Sequence, residues 1–362
     1  MSTISMVQSS YRIIGSVLIL TAALIIYCAV PEQMEDGQWY KGNTHTHTTV
    51  SDGDTDPDAV ARWYLDRGYN FLCLTDHNKY VDPATVSLPA NRREDFILIP
   101  GEEVSGPRAI HTTALNIPSL VDWNPGEASN TAVVQYHVDQ TRNAGGQPIL
   151  NHPNFHFALS AADLLPVERL HLFELYNGHP QVFNNGDAEH PSTEELWDAL
   201  LSAGRRVYAV SSDDAHRFKK WSADQSNAGR GWLMVRAAEL TPVAITNAIR
   251  DGQFYATTGV ILSEVILGDD RIAITVDEAA TDGELQSQYL VPRQIDGGAA
   301  GYRIDFIGEH GRLLQSFPGT RAEFDAQPVT TYVRCKVTYR RAVAGGFEEY
   351  YAWTQPVFRD GR

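Results

Sequence analysis

The chain has 362 residues, 43% of them hydrophobic and 20% charged, with a net charge of −16. That composition excludes a disordered or repetitive chain, and the length favours two domains over one. The acidity argues against a nucleic-acid-binding surface, because holding phosphate backbones needs clustered Lys and Arg.

In chain order, the first feature is the uncharged apolar run from Ile13 to Val30, about the minimum that spans a bilayer core. Arg12 precedes it and Glu32, Glu35 and Asp36 follow, a bias that places the remainder outside the cytoplasm, in a periplasm or at the cell surface. Residues 1–30 read as a signal-anchor or a cleaved signal peptide. Tyr27-Cys28-Ala29 fits a cleavage site or a lipoprotein box poorly, which favours the anchor. Residues 31–42 are polar and read as a tether.

An α/β pattern follows. Phe71 to Thr75, Phe96 to Ile99, Pro148 to Leu150, Leu172 to Tyr176 and Val207 to Ser211 read as buried strands with polar residues at their carboxyl ends. Asp58 to Arg67, Val133 to Ala144 and Thr193 to Ala203 carry apolar residues at helical spacing, with Asp56-Pro57 and Ser192 to Glu195 as start signals. Alternation of this kind builds a parallel sheet or barrel whose carboxyl-terminal rim carries the active site. After Gly259 the pattern becomes short strands, Glu264 to Leu267, Arg271 to Val276, Tyr302 to Ile307, Val329 to Tyr339 and Glu349 to Trp353, with no helix between them. Residues 259–362 thus read as a small all-β, sandwich-like module. Cys73 and Cys335 sit in strand-like runs and read as buried packing residues, with a disulfide between them as the lesser alternative.

The chemistry is concentrated at strand ends. His45-Thr46-His47 puts two imidazoles on one side of an extended segment, since strand side chains alternate with period two. Asp52 follows in Ser51-Asp52-Gly53, where the glycine permits a tight turn. Then come Thr75-Asp76-His77-Asn78, Pro100-Gly101-Glu102-Glu103, His111, Asn151-His152-Pro153 and Asp213-Asp214-Ala215-His216. Each residue alone has an ordinary structural explanation, but hard oxygen ligands mixed with imidazoles and no thiolate suit Zn, Mn or Fe.

These clusters, in this order, resemble the motifs of the polymerase and histidinol phosphatase (PHP) superfamily, over roughly residues 42 to 258. The resemblance implies a distorted (β/α)7 barrel over 43–258 and a trinuclear metal centre. Carried over by motif, His45, His47 and Asp214 would hold the first metal. Glu103 would bridge the first and second, His111 and His152 would complete the second, and Asp52, His77 and His216 would hold the third. Glu102 competes with Glu103, and Asp213 with Asp214; only the Pro-Gly-x-Glu and Asp-x-His spacings choose between them. Asp76 and Asp213 then become candidates for orienting ligand imidazoles. Tyr176 to Pro180, Gly229 to Trp232, Tyr255 to Gly259 and the β-rich tail are similar to a membrane-targeted or secreted bacterial subgroup.

A site of this type implies a phosphoesterase, of the EC 3.1 class, in which metal-activated hydroxide attacks a small phosphorylated substrate. Arg108, Arg217 and Arg230 are candidates to neutralise a phosphoryl oxygen, and His179 or Asp76 to protonate the leaving group. The rival readings are hydrolysis of a carboxylic ester, amide or carbamate by the same activated water, and a non-catalytic binding module at the cell surface.

Overall fold

The computed structural model describes residues 37–92 and 94–359. The apolar run Ile13 to Val30 lies outside them, and among the described residues no helix is long and apolar enough to cross a membrane. The expected tether ends early, because Gln38–Asn43 forms a strand.

The amino-terminal part runs β1 (Gln38–Asn43), α1 (Pro57–Leu65), β2 (Phe71–Cys73), β3 (Ile97–Ile99), β4 (Gly101–Ser105) and β5 (His111–Leu115). It continues through α2 (Asn130–Asn143), β6 (Gln147–Leu150), α3 (Ala161–Leu164), β7 (Leu172–Asn177), α4 (Thr193–Ser202) and β8 (Tyr208–Ser212) to β9 (Trp232–Ala237), α5 (Pro242–Arg250) and β10 (Phe254–Thr257). The helix starts follow the sequence signals. Asp56 accepts from the Ala59 amide with Pro57 in the first turn, and Ser192 and Glu195 form a reciprocal capping box on α4, each cap adding about 1 kcal/mol.

The strands form two ladders here. β10, β9, β1, β2 and β3 lie side by side in one sheet, with β1, β2 and β3 parallel; β4 to β8 form the other. Isolated parallel bridges, Thr46 to Ala215 and His77 to Glu103, connect the ends of the two sheets. Both bridges involve the histidine-bearing segments, so the seam between the sheets is where the site lies. Parallel strands covered on both faces are apolar throughout, and accordingly β2 and β6 are buried along their whole length.

The remainder comprises β11 (Leu262–Leu267), β12 (Arg271–Val276), α6 (Glu278–Glu284), β13 (Arg293–Ile295), β14 (Gly301–Gly308), β15 (Arg312–Pro318), β16 (Arg321–Asp325), β17 (Tyr332–Val343), β18 (Gly346–Thr354) and β19 (Val357–Phe358). The helix α6 corrects the all-strand expectation. Asp277 caps it, but Thr281 is its single buried residue, so it carries no apolar stripe to read. β11, β12 and β16 make a three-stranded sheet, and its buried Ile272, Ile274 and Phe324 join Ile304, Phe306, Val333, Val337 and Tyr350 in one core. β18 pairs with β10 antiparallel, so the first sheet runs on without a break through β18, β17, β14 and β15. Cys73 and Cys335 are buried and free, which removes the disulfide alternative.

Candidate metal centre

β1 ends at Asn43, and the next residues run on as an extended segment between the two sheets. Thr46 turns away to bond Asn43 and Tyr64, and His45 and His47 face the other way. The chain then folds back on itself, with the Gly53 amide donating to the Thr48 carbonyl at 2.9 Å. A Cβ at Gly53 would lie 2.7 Å from Thr48 Cα, so only glycine allows the turn that returns Asp52 to the histidines. His77 follows β2, Glu103 sits inside β4, His111 opens β5, His152 follows β6, and Asp214 and His216 follow β8. His152 and Asp214 hold left-handed backbone at φ 23° and 50°, a conformation costing about 1–3 kcal/mol for a residue with a side chain. Strain at two candidate ligands is what a site-imposed geometry leaves behind.

All nine expected ligands come together. Glu103 is the hub: its Oε1 lies 3.1 Å from His111 Nδ1, 3.1 Å from His152 Nε2 and 3.2 Å from His45 Nε2, and its Oε2 lies 2.8 Å from His77 Nδ1 and 3.4 Å from His47 Nε2. Asp214 Oδ1 is 3.3 Å from both His45 Nε2 and His47 Nε2. Asp52, half exposed, reaches His216 at 3.4 Å and His47 and His77 at 3.6 Å. Among the described residues, four groups have ligand atoms all within 4.8 Å of one another: His45, His47 and Asp214; His45, Glu103 and His152; His77, Glu103 and His111; and His47, Asp52, His77 and His216.

The electrostatics of this cluster are unusual for a protein interior. Buried carboxylates are normally neutralised by Lys or Arg, yet among the described residues no Lys or Arg is ion-paired with Asp52, Glu103 or Asp214. Burial pushes the Glu103 and Asp214 carboxyls up, but the surrounding imidazoles, His45 foremost, outweigh it and hold both well below the carboxylate range. Burial, followed by the charge of His216, drives His47 down to about 3. Both ring nitrogens of His47 and Glu103 Oε2 are buried without a hydrogen-bond partner. Imidazole nitrogens and carboxylate oxygens that face one another, some of them buried without a hydrogen-bond partner, are a donor set that fits divalent cations.

Strand alternation separates the first ambiguous pair, and the left-handed turn at Asp214 beyond β8 separates the second. Glu102 points to the opposite side of β4 from Glu103, where its Oε1 accepts from the Val121 amide at 2.6 Å. Asp213 accepts from the amides of Gly229, Arg230 and Gly231 and from Tyr64, and Asp214 faces the histidines.

Other expectations need correction. Neither Asp76 nor Asp213 contacts a ligand imidazole. Asp76 accepts four hydrogen bonds from the backbone and hydroxyls of Thr48 and Ser51, so it fixes the Asp52 turn. The imidazole-orienting carboxylate is Glu174 in β7, which sequence reading missed. It accepts from His45 Nδ1 at 2.7 Å, the His152 amide at 2.8 Å, Asn177 Nδ2 at 2.8 Å and Ser212 Oγ. A charged residue within the buried strand Leu172–Asn177 was the available signal. Asn151, whose amide reaches Glu103 Oε1 at 2.9 Å, was also missed.

Among the arginines, Arg108 bonds Asn130 and the Ala128 carbonyl at the start of α2, and buried Arg230 bonds the Gly178 and Ser222 carbonyls; both are occupied in holding loops. Arg217 alone of the three touches a ligand segment, donating to the Asp52 carbonyl at 2.8 Å. His179 stands beside His216, ring centroids 5.6 Å apart, and burial lowers its pKa to about 4. The Gln181 amide donates to its Nδ1 at 3.2 Å, so the neutral ring carries its hydrogen on Nε2.

No family model and no curated protein matches the sequence. Among solved structures, the chain is similar to a two-domain protein from Bacteroides vulgatus containing a predicted PHP-like metal-dependent phosphoesterase, at 15% identity and TM-score 0.44, over 88% of this chain and 96% of that one. It is similar to a protein from Bifidobacterium adolescentis assigned by name to the metal-dependent phosphoesterases, at 13% identity and TM-score 0.36, over 52% and 90% of the two chains. A third similarity is to an amidohydrolase from Chromobacterium violaceum with bound sulfate and no metal, at 16% identity and TM-score 0.35, over 49% and 88%. These are similarities of low score, and the chemistry of this chain rests on its own residues.

Proposed function

We propose that the chain is a metal-dependent phosphoesterase with a PHP-type trinuclear centre on a distorted barrel. The observation that carries this reading is the convergence of three carboxylates and six histidines with, among the described residues, no Lys or Arg ion-paired to those carboxylates. His45, His47 and Asp214 would hold one cation, His111 and His152 a second, and Asp52, His77 and His216 a third, with Glu103 shared between the first two. Zn, Mn or Fe suits this mixture of nitrogen and oxygen donors.

When bound, the cations supply Lewis acidity for phosphoryl oxygens and make water nucleophilic near neutral pH. The protein's part is to prepare the donors. Glu174 takes the Nδ1 hydrogen of His45, which leaves the Nε2 lone pair facing Asp214 and Glu103. Asn151 fixes one Glu103 oxygen, and Asp76 fixes the turn of Asp52. Arg217, which donates to the Asp52 carbonyl at 2.8 Å, would meet a remaining phosphate oxygen. His179 offers an Nε2 hydrogen for the leaving-group oxygen. The substrate is a small phosphorylated molecule, met outside the cytoplasm if Ile13 to Val30 anchors or exports the chain.

The test is metal analysis of the purified protein together with a hydrolysis screen of phosphomonoesters, phosphodiesters and carboxylic esters. Phosphate-ester turnover lost in a His45→Ala, Asp214→Ala double variant is the expected result. Unchanged turnover in that variant would sink the metal assignment, and turnover of carboxylic esters alone would replace phosphate with an acyl substrate.

A further inference from the structure

Beside the candidate ligands the chain builds a wall of aromatic rings, of which only His179 has a part in the proposed hydrolysis. Phe155 packs edge-on against His152 with centroids 5.2 Å apart, and lies 6.2 Å from His179, which in turn packs on His216. Phe155 and His179 therefore span the rim from one candidate ligand to another. Both are half-buried, with ring surface left open.

The loop that carries Phe155 is held with effort. His156 and Phe157 are consecutive left-handed residues at φ 54° and 50°, a conformation that a bulky residue such as Phe157 seldom adopts and that clusters at binding sites. An antiparallel bridge joins Phe155 to Val182, and the Asn154 amide clamps the carbonyls of Phe183 and Pro191 at 3.0 and 2.9 Å. Phe157 stacks against Phe183 at 4.9 Å and His190 at 3.9 Å. None of Phe155, Phe157 and Phe183 belongs to a buried core cluster, and Phe183 is 47% exposed. Core packing thus gives no reason for three phenylalanines and a strained backbone at this rim.

We propose that Phe155 and His179 form a subsite for a flat aromatic ring in the leaving group, so that the substrates are esters whose ring lies one or two bonds from the ester oxygen. The ester's acid part rests on the phosphoesterase reading; the ring preference does not. Two rings set at 76° to each other offer a face and an edge together, the arrangement in which aromatic contacts add affinity beyond buried area.

The test uses the full-length, metal-loaded protein and calorimetric binding of matched probes. Benzylphosphonate should bind about five- to tenfold more tightly than cyclohexylmethylphosphonate, as an added aromatic pair implies. The ratio should fall to near one in both Phe155→Ala and Phe155→Leu, with metal content checked in each; leucine keeps apolar contact with His152 while removing the ring. Phenylacetate and cyclohexylacetate form a second pair. Phosphonates that bind without ring preference overturn the subsite and leave the phosphoesterase reading standing. A ring preference confined to the acetates, with no phosphonate binding, supports the subsite and overturns the phosphate reading. A ratio unchanged in both Phe155 variants, or near one in both pairs, overturns the subsite.

Discussion

Two clusters of buried charge in this molecule meet the same electrostatic problem in opposite ways. Between α4 and the carboxyl-terminal sheet, Asp198 receives a two-pronged contact from Arg334 at 2.7 and 2.6 Å and a hydroxyl from Tyr332, and Glu194 receives Lys336 and the Trp353 indole. Two carboxylates meet two cations, and the group closes on itself along the wall of a cavity of about 750 Å³. Around Glu103 three carboxylates face imidazoles and, among the described residues, no Lys or Arg pairs with them. Buried charge with its counter-charge supplied by the chain is architecture, and buried charge without it is a site for something brought from outside.

Chelation should give the largest effect. Stripping the metals should abolish hydrolysis, by at least about a thousandfold, and lower the thermal midpoint by an amount set by metal affinity; a ligand at a thousand times its Kd contributes about 4 kcal/mol. A melting curve and turnover indifferent to a chelator would make the two clusters alike and break the contrast. Next, Arg334→Met leaves Asp198 buried and unanswered, so denaturant unfolding should show a loss of about 3–5 kcal/mol, while the metal content per folded molecule stays the same. A fall in metal stoichiometry would mean that the two clusters are coupled.

Smaller is the effect of Glu174→Gln, which weakens the carboxylate's hold on His45 Nδ1. Metal affinity should fall about 10- to 100-fold with little change in apo stability, read by competition with a chromogenic chelator. The smallest concerns Glu102, whose carboxyl burial pushes up to about 7. A raised folded-state pKa gives stability that is complete below the ordinary pKa of 4.5 and is lost as pH rises through 7. Glu102→Gln should therefore stabilise the protein at pH 8 by up to about 3 kcal/mol and do nothing at pH 4. Equal effects at both values would show that Glu102 titrates normally.

That these nine residues would converge was legible because chemistry and position coincide: each motif lies in or beyond a short strand, and period-two alternation separates Glu103 from Glu102. The same reasoning misplaced what depends on three-dimensional partners. Glu174 looks like any strand glutamate until His45, 129 positions earlier, is brought to it. Arg230 was a candidate for phosphate contact from its place near a motif loop, and its backbone and guanidinium tie loops together. β9 and α5 passed unread, and β1 was read as a tether, although β1 lies between β2 and β9 in the sheet that positions His45 and His47.

The pairing of Tyr255, Ala256 and Thr257 with Thr354, Trp353 and Ala352 has a practical consequence. A protein cut after Thr258 would bare the outer edge of β10, a row of unpaired amides and carbonyls next to the newly uncovered side of a hydrophobic core that Tyr351 and Trp353 complete. Such a fragment would offer a template for other chains to add to, and it would come out of expression as aggregate even with every metal ligand in its sequence.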